Sequence, residues 1–194
     1  MNPRHAYQVV PREGERRSGD AVFARPAEAC SLFALIDALG HGDTAARVAR
    51  RALDCLERLP EGVELARAME ALHADLHGTR GAAITLCSLR GLDAELLGIG
   101  NVTCRTLGAP MPFVPKPGIV GRGSRVHGAL HLTLARGQRL LFHSDGVSHR
   151  FDLRTISELS PEDACAFILR HHRYPHDDAS VLVIDARAAT EGAR

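Results

Sequence analysis

The segment that most constrains this chain is "CSLFALID", Cys30 to Asp37, an apolar run that ends in a carboxylate. A continuous apolar run of this length, bounded by polar residues, predicts a buried β-strand. The sequence "ALGHGD" follows directly from Ala38 and contains two glycines, a histidine and a second aspartate. A carboxylate at the rim of a buried strand costs desolvation free energy unless another group pairs with it. The fold must therefore provide a partner for Asp37.

The order of the predicted elements indicates the fold class. Strands come first, two amphipathic helices follow, and then come a meander of strands, a helix and a last strand. The first helix is expected to be capped by Asp43 or Thr44, the second to run from about Val63 to Leu76, and the third to be capped by Ser160. This order lacks the strand–helix alternation of a doubly wound sheet. We expect an α+β fold with antiparallel sheets and helices on the outside.

Length and composition narrow the classes of function. A chain of 194 residues suits a single domain, expected over 1–187 with a frayed tail at 188–194. The formal net charge of +1 gives no global field that would attract nucleic acid or a membrane surface. No apolar segment approaches the ~20 residues of a membrane-spanning helix, and no secretory signal is recognisable. Five cysteines without a CxxC pair fit a reducing compartment, so we expect a cytoplasmic protein.

Aspartates recur at the ends of predicted strands, beside small residues. They are Asp20 in "SGD", Asp37 in "IDALGHG", Asp145 in "FHSDG", and the pair Asp177 and Asp178 in "HDDAS". Each motif alone is typical of a turn or a helix cap. Together they predict unpaired carboxylates at four strand rims, which a divalent cation would neutralise. Ligand sets made only of oxygen suit Mg²⁺ or Mn²⁺.

Five motifs, "SGD", "DALGHG", "GIGN", "SDG" and "DDAS", follow one another between Ser18 and Val183. In this order they resemble the metal-dependent protein phosphatase 2C superfamily. The "D-x-x-G-H-G" form is similar to its bacterial SpoIIE-type branch, and the short single-domain length is similar to RsbX-like members of that branch. The resemblance implies two packed antiparallel sheets flanked by helices, a four-layer αββα sandwich.

The resemblance also implies a centre of two Mn²⁺ or Mg²⁺ ions. Asp37 would bridge the ions, and the backbone carbonyl of Ala38 would bind one of them. Asp20 would hold a water bound to the metal. Asp145 and Asp177 would complete the shell of the second ion, with Asp178 left open as an alternative to Asp177.

The chain departs from the family pattern at three positions. Ala38 replaces the usual glycine, a change that a carbonyl ligand tolerates if the backbone angles are ordinary. Asn101 in "GIGN" stands where many relatives carry an aspartate linked to a third metal, which leaves a third metal open. Leu39 lies near the position of a catalytic acid histidine in some relatives, so acid catalysis is expected from water or from His41.

The predicted function is hydrolysis of phosphoserine or phosphothreonine on a bacterial signalling protein by metal-activated water, with Asp20, Asp37 and His41 as catalytic residues. The resemblance implies a phosphorylated partner of the STAS or stressosome type, in stressosome or anti-sigma-antagonist regulation. One alternative is a phosphatase-fold binding module in partner-switching signalling that no longer turns over. Another is a metal-dependent hydrolase of small phosphoesters or nucleic acid, against which the near-zero charge and scarce aromatics argue.

Four further features of the sequence have two possible interpretations each. His73 and His77, four residues apart on a helix, are typical of a solvated face or of a zinc ligand pair. The segment 108–123, rich in proline and glycine, is either a surface loop or a substrate flap with positive charge from Lys116, Arg122 and Arg125. Arg16 and Arg17 precede Asp20 and are either solvated or in contact with phosphate. His176 abuts Asp177 and is either a loop residue or a neighbour of the metal site.

Overall fold

The structure is a computed structural model that describes residues 3–186. The tail predicted at 188–194 lies outside the described residues. The strands are, in chain order, β1 (Arg4–Val10), β2 (Asp20–Arg25), β3 (Ser31–Ala38), β4 (Ala82–Arg90), β5 (Asp93–Ile99), β6 (Thr103–Leu107), β7 (Leu130–Thr133), β8 (Arg139–His143) and β9 (Ala179–Asp185). The helices are α1 (Gly42–Arg58), α2 (Leu65–Asp75) and α3 (Pro161–His172), with a 3₁₀ turn at Leu153–Ile156.

The strands form two antiparallel sheets. The first, sheet A, has the strand order β1-β9-β8-β6, and the second, sheet B, has the order β2-β3-β4-β5-β7. In sheet B the hairpin of β2 and β3 places Asp20 directly opposite Asp37. In sheet A the pairing of β8 with β9 places His143 opposite Val181, so that the segments 144–146 and 176–178 lie at one end of this sheet.

Three apolar layers hold the two sheets and the helices together. The middle layer lies between the sheets and joins Phe33 and Leu35 of sheet B to Phe142 and Leu182 of sheet A. A second layer packs α1 and α2 on the outer face of sheet B, and a third packs α3 on the outer face of sheet A. The predicted α+β fold, a four-layer αββα sandwich, is confirmed.

The start of α1 differs from the predicted start. His41 occupies the N-cap position in extended conformation, and the helix begins at Gly42 without a side-chain cap. Asp43 therefore lies in the first turn, where a negative charge still stabilises the helix. Gly40 and Gly42 have φ values of 92° and 67°, which the tight passage from β3 into α1 requires of glycine.

The proline- and glycine-rich segment 108–123 is irregular, as predicted, but its second half is fixed to sheet B by main-chain hydrogen bonds. Lys116 donates to Gly98 and accepts from Gly100, and Val120 exchanges two hydrogen bonds with Ala82. The side chain of Val120 is fully buried, whereas Val114 is 80% exposed. The segment thus combines an anchored half with an exposed tip.

Across residues 3–186, no helix combines the length and the apolar character needed to cross a bilayer.

Candidate active site

Sheet B contributes the first two candidate ligands. Asp20 opens β2 and Asp37 lies at the end of β3, directly across the hairpin. Their neighbours on the same strand face, Val22 and Leu35, belong to the layer between the sheets. Because side chains alternate along a strand, both carboxylates face the gap between the sheets. Like charges opposite each other in a sheet are destabilising, so this pair requires compensation.

Sheet A contributes the next two. Asp145 follows the end of β8 by two residues, and Asp177 precedes the start of β9 by two. Asp20 is buried, Asp37 and Asp177 are half-buried, and Asp145 is exposed. The four carboxylates therefore lie at one end of the gap between the sheets, in a cleft that opens to solvent at Asp145.

Electrostatics show that these four groups lie close together. Burial raises the pKa of Asp37 to about 9, and the charges of Asp20, Asp145 and Asp177 add to the shift. Burial likewise raises the pKa of Asp20 to about 7, although the hydroxyls of Ser144 and Ser180 oppose the shift. The pKa of Asp177 is also raised, by burial and then by Asp145. A hydrogen bond with Asp145 raises the pKa of Asp37 further, because it favours the protonated carboxyl.

Positive side chains do not neutralise this cluster. In the described part of the chain, no arginine, lysine or histidine nitrogen pairs with the carboxylates of Asp20, Asp37, Asp145 or Asp177. The Oδ2 atom of Asp20 is buried without a hydrogen-bond partner. Buried polar atoms in proteins are rarely left unpaired, so Oδ2 of Asp20 needs an ion, a proton or a water.

The donor set fits a hard divalent cation, since it consists of oxygen atoms and carries negative charge. Nevertheless, no group of three or more histidine, cysteine, aspartate or glutamate side chains within 3–186 already surrounds a common point. A metal assignment therefore rests on the chemistry of the acidic cluster and on the unpartnered Asp20 oxygen, not on a preformed cage.

The two neighbouring aspartates of "HDDAS" have different environments. Asp178 is 3% exposed and accepts hydrogen bonds from the backbone N–H groups of Arg12, at 2.9 Å, and Gly19, at 2.7 Å. Both of its oxygens thus hold the loop that leads into β2. Burial and then the charge of Asp145 raise the pKa of Asp177, and only one of its oxygens, Oδ1, accepts a hydrogen bond, from the N–H of Asp178 at 2.9 Å, among the described residues. Between the two alternatives left by the sequence, the geometry favours Asp177 as the residue available to an ion.

Glycine in the "SDG" motif serves packing. A Cβ atom on Gly146 would lie 1.8 Å from the carbonyl oxygen of Asp178, an impossible contact. Gly146 thus lets the turn after β8 lie against the chain entering β9. It brings Asp145 and Asp177 together through main-chain contact and does not clear space for an ion.

Asn101 contacts the cluster in a way that the sequence analysis missed. Its amide Nδ2 donates a hydrogen bond of 2.7 Å to Oδ2 of Asp145. The sequence showed only that an aspartate was absent at this position. The contact continues the β6–β8 pairing of sheet A, which sets Thr103 opposite His143, and it could be found only once the register of β6 on β8 was known.

His41 is the N-cap residue of α1, four residues after Asp37. It is exposed, and its Nδ1 lies 3.2 Å from Oε1 of Glu15. The pair borders a surface pocket of about 620 Å³ between the β1–β2 loop and the start of α1, which Arg16 and Arg17 also line. The structure brings His41 together with these arginines and with Glu15, a residue that the sequence analysis did not single out.

The remaining candidate residues are Ala38, His73, His77 and His176. Ala38 has ordinary backbone angles, as a carbonyl ligand at this position requires. His73 is not part of a solvated face, because its Nδ1 accepts a hydrogen bond from the N–H of Gly121. His77 is exposed. His176 stacks on Tyr174, with the ring centroids 5.7 Å apart.

Comparison with known proteins gives matches at the level of structure. No protein-family model matches the chain, and no curated protein matches it by sequence. A chain described under "The bacterial stressosome: a modular system that has been adapted to control secondary messenger signaling" is 27% identical, with a TM-score of 0.86, over 95% of this chain and 100% of that one.

Two further matches carry metal ions. RsbX in complex with magnesium is 18% identical, with a TM-score of 0.82, over 95% of this chain and 96% of RsbX. The catalytic domain of the serine/threonine phosphatase PstP in complex with two manganese ions is 18% identical, with a TM-score of 0.71, over 96% of this chain and 99% of that domain.

These matches define the class of the protein: the chain has the fold of the phosphatase 2C superfamily. The resemblance predicted from the sequence is thereby confirmed at the level of the fold. Among the solved structures, the chain is similar over nearly its whole length to RsbX, of which it covers 96%.

Proposed function

We propose that the protein is a metal-dependent phosphoprotein phosphatase that hydrolyses phosphoserine or phosphothreonine on a bacterial signalling protein. The observation that carries this proposal is the meeting of four aspartates from four strand ends at one end of the gap between the sheets, where no cationic side chain within 3–186 pairs with them. A cluster of this kind costs stability and is typical of a functional site. Its position in a phosphatase 2C fold supports phosphate ester hydrolysis.

Each aspartate has a role in this proposal. Asp37, at the centre of the cluster, would hold both cations, and the backbone carbonyl of Ala38 would add a neutral ligand. Asp145 and Asp177 would hold one cation from the side of sheet A. Asp20, buried and with a free oxygen, would hold and orient the attacking water. When bound, two Mn²⁺ or Mg²⁺ ions supply an activated water and neutralise the charge of the phosphoryl oxygens.

The pocket beside His41 supports a position for the substrate. Arg16 and Arg17 offer charge that suits a phosphorylated segment, and His41 is the imidazole that could give a proton to the leaving alkoxide. Glu15 holds the ring of His41 in place. The partner proposed is a phosphorylated protein of the STAS or stressosome type, in line with the described setting of the 27% identical chain.

The test is phosphate release from an aryl phosphate by the purified protein, with EDTA, with Mg²⁺ and with Mn²⁺. Asp37→Asn keeps the shape of the side chain and removes its charge, so turnover should fall by at least about 10²-fold. Asp93→Asn is the matched control, because Asp93 starts β5 outside the cluster and bonds only Thr133 among described side chains. Equal turnover of wild type and Asp37→Asn would refute the proposal.

A second candidate is a binding module with the same fold but without turnover. It is favoured by the lack, in the described residues, of a group of three or more side chains arranged as a metal cage. Calorimetric titration with Mn²⁺ separates the two functions. Binding of Mn²⁺ together with turnover supports the enzyme, and a folded protein that neither binds Mn²⁺ nor releases phosphate supports the module.

A further inference from the structure

Arg80 lies against the turn that follows Asp37. The N–H of Leu39, the first residue after β3, donates a hydrogen bond of 3.0 Å to the carbonyl oxygen of Gly81, the last residue before β4. This bond extends the pairing of the two strands and brings Arg80 beside Gly40. A Cβ atom on Gly40 would lie 2.6 Å from Nη1 of Arg80. The guanidinium therefore covers this turn, at the end of sheet B where the acidic cleft lies.

A second arginine lies beside the first. A Cβ atom on Gly81 would lie 3.3 Å from Cγ of Arg122, so the stem of Arg122 packs at the residue that follows Arg80. Both arginines are exposed. Between residues 3 and 186, no carboxylate pairs with either side chain, and neither guanidinium donates a hydrogen bond. Two neighbouring cations without a counter-ion form a surface that favours an anion.

The order of strands in sheet B places arginines on both flanks of β3. The order begins β2-β3-β4, and Arg16 and Arg17 precede β2 whereas Arg80 precedes β4. Neighbouring strands lie about 4.8 Å apart, and an extended segment advances about 3.3 Å per residue. A substrate segment that crosses the end of β3, with its phosphorylated residue at Asp37, therefore brings a residue one or two positions away toward Arg80.

We infer that Arg80 and Arg122 form a binding site for an acidic side chain of the substrate protein, one or two positions from the phosphorylated residue. The inference rests on the proposed function and narrows its substrate class to phosphoserine or phosphothreonine with a neighbouring aspartate or glutamate. A guanidinium presents a planar fork of N–H donors that matches a carboxylate. The two arginines bind beside the phosphoryl group and so determine specificity.

Two phosphoserine peptides test the inference through the kcat/KM of phosphate release with Mn²⁺. One peptide carries glutamate at the two positions on either side of the phosphoserine, and the other carries glutamine there. We expect the wild type to prefer the glutamate peptide by about fivefold, the upper end for an exposed ion pair, and to lose much of this preference at high salt. Arg80→Gln should reduce the preference to less than about twofold, and Arg122→Gln should reduce it in part. Arg90→Gln, at the exposed opposite end of β4, is the matched control and should keep the preference.

The outcomes separate this inference from the proposed function. A wild type that hydrolyses both peptides equally, or an Arg80→Gln variant that keeps the preference, overturns the inference while the proposed function stands. An equal loss for both peptides in Arg80→Gln would assign Arg80 to the phosphoryl group and also overturns the inference.

A wild type that hydrolyses neither peptide overturns the proposed function, and fluorescence anisotropy of the labelled peptides then decides the inference. Tighter binding of the glutamate peptide by the wild type, but not by Arg80→Gln, supports the acidic-residue site. Equal binding of the two peptides by the wild type overturns it.

Discussion

The carboxylates at the two ends of the β8–β9 pair differ in whether a positive side chain pairs with them. At one end, Asp185 accepts two hydrogen bonds from Arg139, of 2.6 and 2.9 Å, and Arg139 also donates to the carbonyl oxygens of Ile156 and Leu159. At the other end, no arginine in the described part of the chain pairs with the cluster around Asp37. The same strands thus carry a satisfied ion pair and an unsatisfied acidic cleft. The difference separates a carboxylate used for structure from carboxylates available to a ligand.

The largest expected effect comes from removing the arginine of the Arg139–Asp185 ion pair. Arg139→Leu leaves Asp185 without its partner and two carbonyl oxygens without donors. Because removing one member of a buried pair leaves an uncompensated charge, we expect a loss of about 3–5 kcal/mol in the free energy of unfolding. Denaturant titration measures this loss. Arg136→Leu, at an exposed turn nearby, is the control, and equal stability of the two variants would contradict the account.

Removing a charged side chain from the acidic cluster should instead raise the stability of the metal-free protein. In metal-free protein at pH 8, Asp37→Asn removes a group whose pKa is raised to about 9, chiefly by burial. The folded state no longer bears the cost of that group, and we expect stability to rise by at least about 1 kcal/mol, the scale of one pKa unit. Thermal unfolding in EDTA measures the change. A destabilised variant would show that Asp37, like Asp185, stabilises the fold.

The acidic cluster should also make the stability of the metal-free protein depend on pH. Asp20 and Asp37 have folded-state pKa values of about 7 and 9, above the ordinary value of 3.8. Between pH 6.5 and 8 the folded state therefore retains protons that the unfolded state has lost, and metal-free stability should fall as pH rises. The buried His143, whose pKa is lowered to about 4 by burial, is neutral throughout this window.

The measurement is the free energy of unfolding in EDTA across this range of pH. The slope should become shallower in Asp37→Asn, whereas it should persist in Asp93→Asn. A flat profile in the wild type would mean that the cluster carries no protons of its own at neutral pH.

The smallest expected effect lies beside the cleft, where His73 fixes the anchored half of 108–123 to α2. His73→Phe removes the acceptor for the N–H of Gly121 but keeps a planar ring. We expect a loss of about 0.5–1.5 kcal/mol and faster hydrogen exchange at the Gly121 amide. His77→Phe, in the exposed turn that follows α2, is the control. Unchanged exchange at Gly121 in His73→Phe would show that main-chain bonds alone hold the segment.

Much of the fold was predictable because strand ends, helix periodicity and element order are local properties of the sequence. The run that ends at Asp37 predicted a buried strand, and the structure has β3 there. The helix start at His41 was missed because Asp43 is also an acceptable cap, and only the turn formed by Gly40 and Gly42 decides between them.

The site was less predictable, because it depends on contacts between distant segments. Asp177 and Asp178 are chemically identical in the sequence, and only the two backbone N–H groups that reach Asp178 distinguish them. The bond from Asn101 to Asp145 requires the register of β6 on β8. The partnership of Arg139 with Asp185 requires the register of β8 on β9.

The attachment of 108–123 through main-chain atoms has a consequence for how this protein can diverge. The hydrogen bonds from the backbone groups of Lys116 and Val120 do not depend on the identity of the side chain at each position. The exception is a buried side chain, such as that of Val120. The exposed positions of the segment, such as Val114 and Lys116, can therefore be exchanged without loosening the attachment.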